Sequence, residues 1–269
     1  MEKEILDVKS FYNENVLYEW ERLNRHPFEF EITTKMMDKY IKAGDKVLDI
    51  GGGPGRYSLY YAKKGCDVIL VDLSEENVEF AKKKANELNV SIKAFSGNAM
   101  DIENIVSDEY DHVFIMGPMY HLLNQNDRIT AINAALKRLK TGGNLYVSFI
   151  VIFAGLIYEM KNRPEYILEF RDFEKLLLKC LENDESYAGE AFTKAFFINQ
   201  KDILPFMEKF NLEKLHLFGQ ESIMAPCENN FLSQPKEVVD RWLDIALNLC
   251  EKEYLLSYSE HLMYIGRKR

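Results

Sequence analysis

The feature that most constrains this chain is a run of glycines where a strand hands over to a helix: Val47-Leu48-Asp49-Ile50-Gly51-Gly52-Gly53-Pro54-Gly55-Arg56. Residues 46–50 are apolar and short, as a buried strand is, and residues 55–64 carry Leu59, Ala62 and neighbouring tyrosines on one side, as a helix does. A turn without Cβ atoms lets a ligand approach the backbone closely. In open α/β sheets that approach is made at the carboxyl ends of the strands. The same alternation continues downstream. Residues 67–72, 90–96, 110–116 and 144–150 read as strands. Between them, Ser74 caps a helix carrying Val78, Ala81, Ala85 and Leu88, and a helix over 126–139 turns Ile129, Ile132, Leu136 and Leu139 inward until Thr141-Gly142-Gly143 stops it. Strands that are almost continuously apolar are buried on both faces, which predicts a doubly wound, mostly parallel α/β sheet with right-handed crossovers.

Two segments depart from this alternation. Residues 1–44 are a helical prelude with Phe11, Tyr12, Val16, Leu17, Trp20 and Leu23 apolar, and 152–190 read as a helical insertion followed by an added strand at 191–198. Asn199 caps a short helix that Pro205 kinks or shortens. A sixth strand at 212–217, a helix at 235–250 with Val238, Trp242, Ile245 and Leu249 on one face, backed by Val239, Leu243 and Ala246, and a last strand at 261–265 complete the reading.

The glycine spacing selects the ligand. A dinucleotide fingerprint needs Gly-x-Gly-x-x-Gly, whereas Gly51, Gly53 and Gly55 recur at every second residue. Asp49 places a carboxylate before them, which suits a cationic ligand better than a pyrophosphate. The run resembles the first motif of class I S-adenosylmethionine-dependent methyltransferases, Asp/Glu-x-Gly-x-Gly-x-Gly, at Asp49, Gly51, Gly53 and Gly55, with Gly52 inside it. The resemblance covers residues 44–150 well. Tyr18-Glu19-Trp20-Glu21-Arg22 is also similar to the start of bacterial small-molecule methyltransferases of this group.

The resemblance implies S-adenosylmethionine as cofactor, S-adenosylhomocysteine as product, and a seven-stranded Rossmann-like sheet whose final strand runs antiparallel. It implies that Asp72 holds the ribose hydroxyls, that Leu73 packs on the adenine, and that Asn98 and Ala99 meet the adenine edge. Asn98 stands where the family usually has Asp. Residues 1–44 are then a lid, 45–150 the cofactor-binding core, 151–198 a helical cap, and 199–269 the rest of the sheet with a second helical insertion.

Met116-Gly117-Pro118-Met119-Tyr120-His121 follows the fourth strand, in the loop that flanks the reactive methyl in this family. It lacks the Asn/Asp-Pro-Pro-aromatic tetrad of enzymes that methylate nucleobase amines. Met116 and Tyr12 are expected beside the methionine part of the cofactor. Tyr120 and His121 are the local candidates to orient or deprotonate an acceptor, with a capping role as the competing reading of His121. The insertion, with Tyr158, Tyr166, Phe170 and Phe173, is expected to roof the acceptor site, and it also carries Glu159, Glu165, Glu169, Asp172 and Glu174, either an acidic roof suited to a cationic acceptor or a solvated helix face.

Charge and composition narrow the partners. With 34 Lys and Arg against 43 Asp and Glu, the net charge of −9 gives no general footprint for a phosphate backbone, so nucleic acid is disfavoured. The four cysteines show no metal-ligand spacing, and no metal is expected. The longest apolar run, 145–157, is broken by Ser148 and Gly155 and is too short to span a bilayer. Met1-Glu2-Lys3-Glu4 lacks the order of a signal peptide, so a cytoplasmic location is expected. The reading is methyl transfer to a small-molecule acceptor. The alternatives are an RNA- or protein-directed methyltransferase and a catalytically silent cofactor binder.

Overall fold

A computed structural model describes residues 2–269. Three helices come first: α1 (Glu2–Glu14), α2 (Val16–Arg25) and α3 (Pro27–Met37). Pro27 opens α3, where the missing N–H costs no helical hydrogen bond. The alternating core follows as β1 (Lys46–Ile50), α4 (Arg56–Lys63), β2 (Asp67–Asp72), α5 (Glu75–Glu87), β3 (Ile92–Ser96), β4 (Tyr110–Ile115), α6 (Gln125–Arg138) and β5 (Leu139–Ile150). Ser74 caps α5 as expected, its hydroxyl accepting from the Asn77 N–H. The insertion is α7 (Ala154–Asn162), a 3-10 turn at Pro164–Glu169, α8 (Asp172–Glu182) and a hairpin of β6 (Tyr187–Glu190) and β7 (Lys194–Phe197). The chain ends with α9 (Gln200–Met207), β8 (Leu212–Gly219), α10 (Lys236–Leu249) and β9 (His261–Lys268).

Seven strands form one sheet in the order β3-β2-β1-β4-β5-β9-β8. β9 is antiparallel to both neighbours, β5 and β8, and the other ladders are parallel. The sheet is buried on two sides because neighbouring residues of one strand enter opposite layers. Leu48 and Ile50 join a core with Ile132 of α6 and Phe206 of α9, while Val47 joins one with Met36 of α3, Tyr61 of α4 and Leu243 of α10. Leu48 is fully buried, and truncating such a residue to Ala typically costs about 2–5 kcal/mol.

Three expectations are corrected. Gly142 and Gly143 do not stop α6. The helix ends at Arg138, Leu139 is already extended, and the glycines lie inside β5 beside the register break opposite Tyr110 and His112. The segment 187–190 is strand rather than helix. Tyr187 and Phe197 face each other on the hairpin and are buried, a period-two pattern that a helix cannot satisfy. The added strand pairs within the cap and is joined to the main sheet by the Val151–Ile198 bridge and by packing of Ala195 and Phe197 against Ile150. Finally, α10 buries Leu243 and Ala246 while Val238, Trp242 and Ile245 are exposed, so its inward face is rotated from the one expected. The short α9 passes through Pro205 and ends two residues later. No helix among the described residues is long and apolar enough to cross a membrane.

Candidate active site

Two adjoining chambers open at the carboxyl ends of β1, β2 and β4. The first is built around the glycine turn. Gly51, Gly53 and Gly55 all have left-handed backbone, with φ of +71°, +56° and +90°, a region costly for residues with a Cβ. At Gly51 a Cβ would lie 2.4 Å from Pro118, so the β1 turn and the loop after β4 can meet only through a glycine. Gly52 has a related role: its Cβ would lie 2.7 Å from Asp49 Oδ2.

Asp72 is fixed at the end of β2. Its Oδ2 accepts from the Gly53 N–H at 2.8 Å, and its Oδ1 from the Ser74 N–H at 2.9 Å and Asn77 Nδ2 at 3.1 Å. Burial raises its pKa, opposed by these three donors. Asp49 is less satisfied. The Ser58 hydroxyl donates to Oδ2 at 2.7 Å, but the buried Oδ1 has no hydrogen-bond partner. Burial, with a smaller contribution from the charge of Asp72, pushes Asp49 up to about 7 against the Ser58 hydrogen bond. A buried oxygen without a donor costs about 1–3 kcal/mol, a penalty that a ligand ammonium or N–H would relieve. Leu73, Ala99 and Met116 line this chamber, as does Asn98. The Asn98 oxygen also caps the following 3-10 turn, accepting from the Met100 N–H at 2.9 Å.

Tyr12, Glu19, Arg22, Glu29, Tyr120 and His261 line both chambers and form the wall between them. Tyr12 reaches this wall from α1, which is docked on the core by Lys9–Glu75 at 2.5 Å and by the Ser74 hydroxyl donating to Asn13 at 2.6 Å. The Tyr12 hydroxyl lies 2.6 Å from His121 Nε2, and His121 Nδ1 lies 3.1 Å from the Lys194 carbonyl. A carbonyl only accepts, so Nδ1 carries the proton and Nε2 accepts from Tyr12. Burial holds His121 down to about 4, against the pull of the Lys194 carbonyl. It is neutral near pH 7, and its lone pair is engaged by Tyr12 of α1. Tyr120 lies between the chambers, its hydroxyl pKa raised by burial.

The second chamber, about 380 Å³, lies under the cap and the prelude helices. Phe11, Tyr158, Phe170, Phe173 and Phe192 give it an aromatic wall. Of the acidic residues of the insertion, Glu159 and Glu174 line the chamber, whereas Glu165, Glu169 and Asp172 do not. Glu159 pairs with Arg163 at 2.7 Å through Oε1, and its buried Oε2 has no partner.

A chain of buried ion pairs supports this chamber. Arg22 grips both oxygens of Glu29, at 2.5 and 3.0 Å. Burial alone would raise Glu29, but Arg22 first and His261 second outweigh it and bring the carboxyl down to about 2. His261 donates from Nδ1 to Glu221 at 2.7 Å. Burial alone would lower His261, but the carboxylates of Glu221 and Glu29 hold it at about 9. Lys161, 1% exposed, bridges Glu228 at 3.1 Å and Glu260 at 2.7 Å, and Glu228 also takes His26 Nδ1 at 2.7 Å. Glu29, Glu221 and His261 can bring one atom each to within 4.8 Å of one another. The carboxylate lone pairs of Glu29 and Glu221 are engaged by Arg22, by the His261 N–H and by the backbone N–H groups of Glu260 and His261, so the group reads as an ion network.

The sequence-derived cofactor residues line the first chamber together, except Gly55, which packs against Ala81 of α5. What that reading missed are the charged groups that the wall and the second chamber draw from other elements: Glu19, Glu29, Glu221 and His261. One signal was available. The last strand was expected to be antiparallel, so its first residue, His261, had to lie beside the carboxyl ends of its neighbours, where ligands bind.

Comparison with known proteins fits this geometry. Residues 47–143 match the family model described as a methyltransferase domain. Among curated relatives, the chain is 37% identical over 119 residues to the ribosomal protein L11 methyltransferase of Dictyoglomus turgidum, covering 44% of this chain and 36% of that protein. It is 28% identical over 146 residues to the 23S rRNA (uracil(747)-C(5))-methyltransferase of Pyrococcus abyssi, covering 54% of this chain and 30% of that protein. It is 27% identical over 175 residues to the ubiquinone biosynthesis O-methyltransferase of Actinobacillus pleuropneumoniae, covering 58% of this chain and 74% of that protein. The chain thus spans about a third of the length of the first two. Among solved structures, magnesium protoporphyrin IX methyltransferase from Synechocystis PCC 6803 with bound SAH superposes with a TM-score of 0.59 at 14% identity, over 99% of this chain and 100% of that one. A S-adenosylmethionine-dependent methyltransferase from Clostridium acetobutylicum gives a TM-score of 0.58 at 13% identity, over 95% and 98%. Residues 47–143 therefore carry a methyltransferase domain, and the chain as a whole, with its glycine turn, its aspartates on β1 and β2 and its antiparallel β9, has the fold of S-adenosylmethionine-dependent methyltransferases.

Proposed function

We propose that this chain transfers a methyl group from S-adenosylmethionine to a small organic acceptor held in the second chamber. The observation that carries the reading is the shared wall: two chambers of different chemistry meet at Tyr12, Tyr120 and His261. The residues of the first chamber fit the cofactor. The open Asp49 Oδ1 suits an ammonium, and Asp72, fixed by three donors, keeps lone pairs for hydroxyls. When bound, the cofactor supplies an activated methyl on a cationic sulfonium. The chain's own work is then to align the two reactants and keep water out. The lid helix α1 covers the first chamber with Ile5, Val8 and Tyr12, and the Tyr12–His121 hydrogen bond holds it closed.

A small acceptor agrees with a chamber roofed by aromatic side chains and with a net charge of −9, which attracts no phosphate backbone. The rRNA- and ribosomal-protein-directed relatives are matched over about a third of their length, so their acceptors carry little weight here. An expected cytoplasmic location accords with a small metabolite as acceptor.

Calorimetric titration with S-adenosylmethionine and S-adenosylhomocysteine, on the wild type and Asp72→Ala, tests the cofactor half. Micromolar binding, about −8 kcal/mol, that weakens in the variant supports it. No binding of either compound to folded protein removes it. An acceptor screen that returns only RNA or protein substrates would remove the acceptor half, and binding without turnover on any class would leave a silent cofactor binder.

A further inference from the structure

His261 is the first residue of β9 and stands where both chambers meet. Its Nδ1 lies 2.7 Å from Glu221 Oε1. The carboxylate is held in turn, because Glu221 Oε2 accepts the backbone N–H groups of Glu260 and His261, both at 3.1 Å. A carboxylate without a proton only accepts, so Nδ1 carries the proton and the ring presents Nε2 on its other side. Among the described residues no hydrogen bond engages that nitrogen. A ring turned by an acid fixed to the backbone, with a second nitrogen that no described residue engages and that is bare once the imidazolium has lost its proton, is the arrangement that proton transfer requires. It contrasts with His121, whose Nε2 is already taken by Tyr12.

We propose that His261 is the proton acceptor of the methyl transfer, with Glu221 as its positioning residue, so that the acceptor carries a protic nucleophile, a hydroxyl or an amine N–H. This inference rests on the methyltransferase reading above. In the step, the acceptor's proton passes to His261 Nε2, and the lone pair left on oxygen or nitrogen forms the bond to the methyl carbon. The carbon–sulfur pair leaves with sulfur, whose positive charge is thereby cancelled, and the imidazolium returns its proton to solvent. An acceptor that reacts as a carboxylate or other preformed anion would not need the dyad.

Charges face the ring from each element around it: Glu221 from the segment after β8, Glu29 from α3, Arg22 from α2 and Glu260 from the residue before β9, with the Tyr120 ring edge-on. Burial disfavours the imidazolium, the carboxylates favour it more strongly, and Arg22 opposes them, leaving His261 protonated up to about 9. The basic form therefore grows as pH rises towards 9, and so should turnover. A cationic ligand in the first chamber lowers that midpoint by like-charge repulsion.

The test uses the full chain labelled with 15N-histidine and saturated with S-adenosylhomocysteine, with His261 assigned by the signal missing in His261→Gln. The expected spectrum has a proton retained on Nδ1 and a bare Nε2 above the midpoint, and Glu221→Gln lowers the midpoint by more than one pH unit and mixes the tautomers. A proton on Nε2 with bare Nδ1, or no titration between pH 5 and 10, overturns the proposal without any acceptor being known. The kinetic arm uses 4-methylphenol and phenethylamine as probes. The expected result is a kcat that rises with pH along the NMR midpoint and falls about 100-fold or more in His261→Gln, with KM and S-adenosylmethionine affinity little changed. Wild-type kcat and pH profile in His261→Gln would overturn it. Loss of cofactor binding in the wild type would instead sink the methyltransferase reading, so the two failures are distinguishable.

Discussion

The two carboxylates of the cofactor chamber are held by residues close in the chain, whereas the acceptor chamber is tied by ion pairs that span much of it. Asp72 takes its donors from Ser74, Asn77 and Gly53, at separations of 2, 5 and 19 residues, and Asp49 is held by Ser58, 9 residues away. Around the acceptor chamber the pairs are His26–Glu228, separated by 202 residues, and Lys161–Glu260 by 99. The first is a local backbone device on a few strand ends. The second forms only when the prelude helices, the cap and the end of the sheet have all docked, and its cohesion is electrostatic. The difference teaches that ligand binding and stability should separate: damage to the first chamber should cost affinity, and damage to the second should cost folding.

The largest effect expected from this contrast is on Lys161. Lys161→Met strands Glu228 and Glu260 as buried carboxylates, and breaking such a group by removing one partner costs about 3–5 kcal/mol. Urea unfolding should show that loss, with partial recovery when Glu260→Gln is added. A loss below ~1 kcal/mol would mean that the network is solvated and the contrast is false.

Next comes Asp72→Ala, which removes an acceptor of charge-assisted hydrogen bonds, worth about 1.5–3 kcal/mol each. Calorimetry should show S-adenosylmethionine affinity falling about 10- to 100-fold, with a smaller change in urea midpoint than for Lys161→Met. The reverse order would break the comparison.

The third effect is on pH. The Asp49 carboxyl is held up to about 7 in the folded protein by burial. Because the folded pKa lies above the unfolded one, its contribution to stability is complete at low pH and is lost as pH rises through about 7. A cationic ligand needs the ionised form, so binding below that point must release a proton. Affinity should therefore fall by up to about tenfold between pH 7 and pH 6, and proton release should appear as a buffer-dependent binding enthalpy. Asp49→Asn should bind more weakly and lose the pH dependence. An unchanged profile in that variant would move the effect to another group.

The smallest effect is expected at the lid. Tyr12→Phe removes the donor to His121 Nε2, a change of about 1 kcal/mol. Hydrogen exchange in α1 should quicken a few-fold while the sheet is unaffected. Equal quickening throughout would show that the lid has no independent opening.

The core was legible in the sequence to within a few residues because its signals are local. A buried parallel strand reads as an apolar run, and a glycine turn reads as glycines. Errors fell where long-range pairing overrode local preference. Gly142 and Gly143 sit within β5 because Leu139 pairs with Tyr110, and 187–190 became a strand because it pairs with 194–197. On α10 two apolar stripes were written side by side, and only docking chose Leu243 and Ala246 over Trp242 and Ile245.

The sequence by itself determined the alternating core, the turn at Gly51–Gly55, and the carboxylates Asp49 and Asp72 at adjacent strand ends, because each is specified within about twenty residues of chain. Only the tertiary structure decided that His121 is engaged by Tyr12 while His261 keeps a free nitrogen, and that Glu159 and Glu174 face the chamber while Glu165 does not. The physical reason is that a histidine's role depends on which groups occupy its two nitrogens and on how far burial and neighbouring charge shift it. For both histidines those groups come from distant parts of the chain.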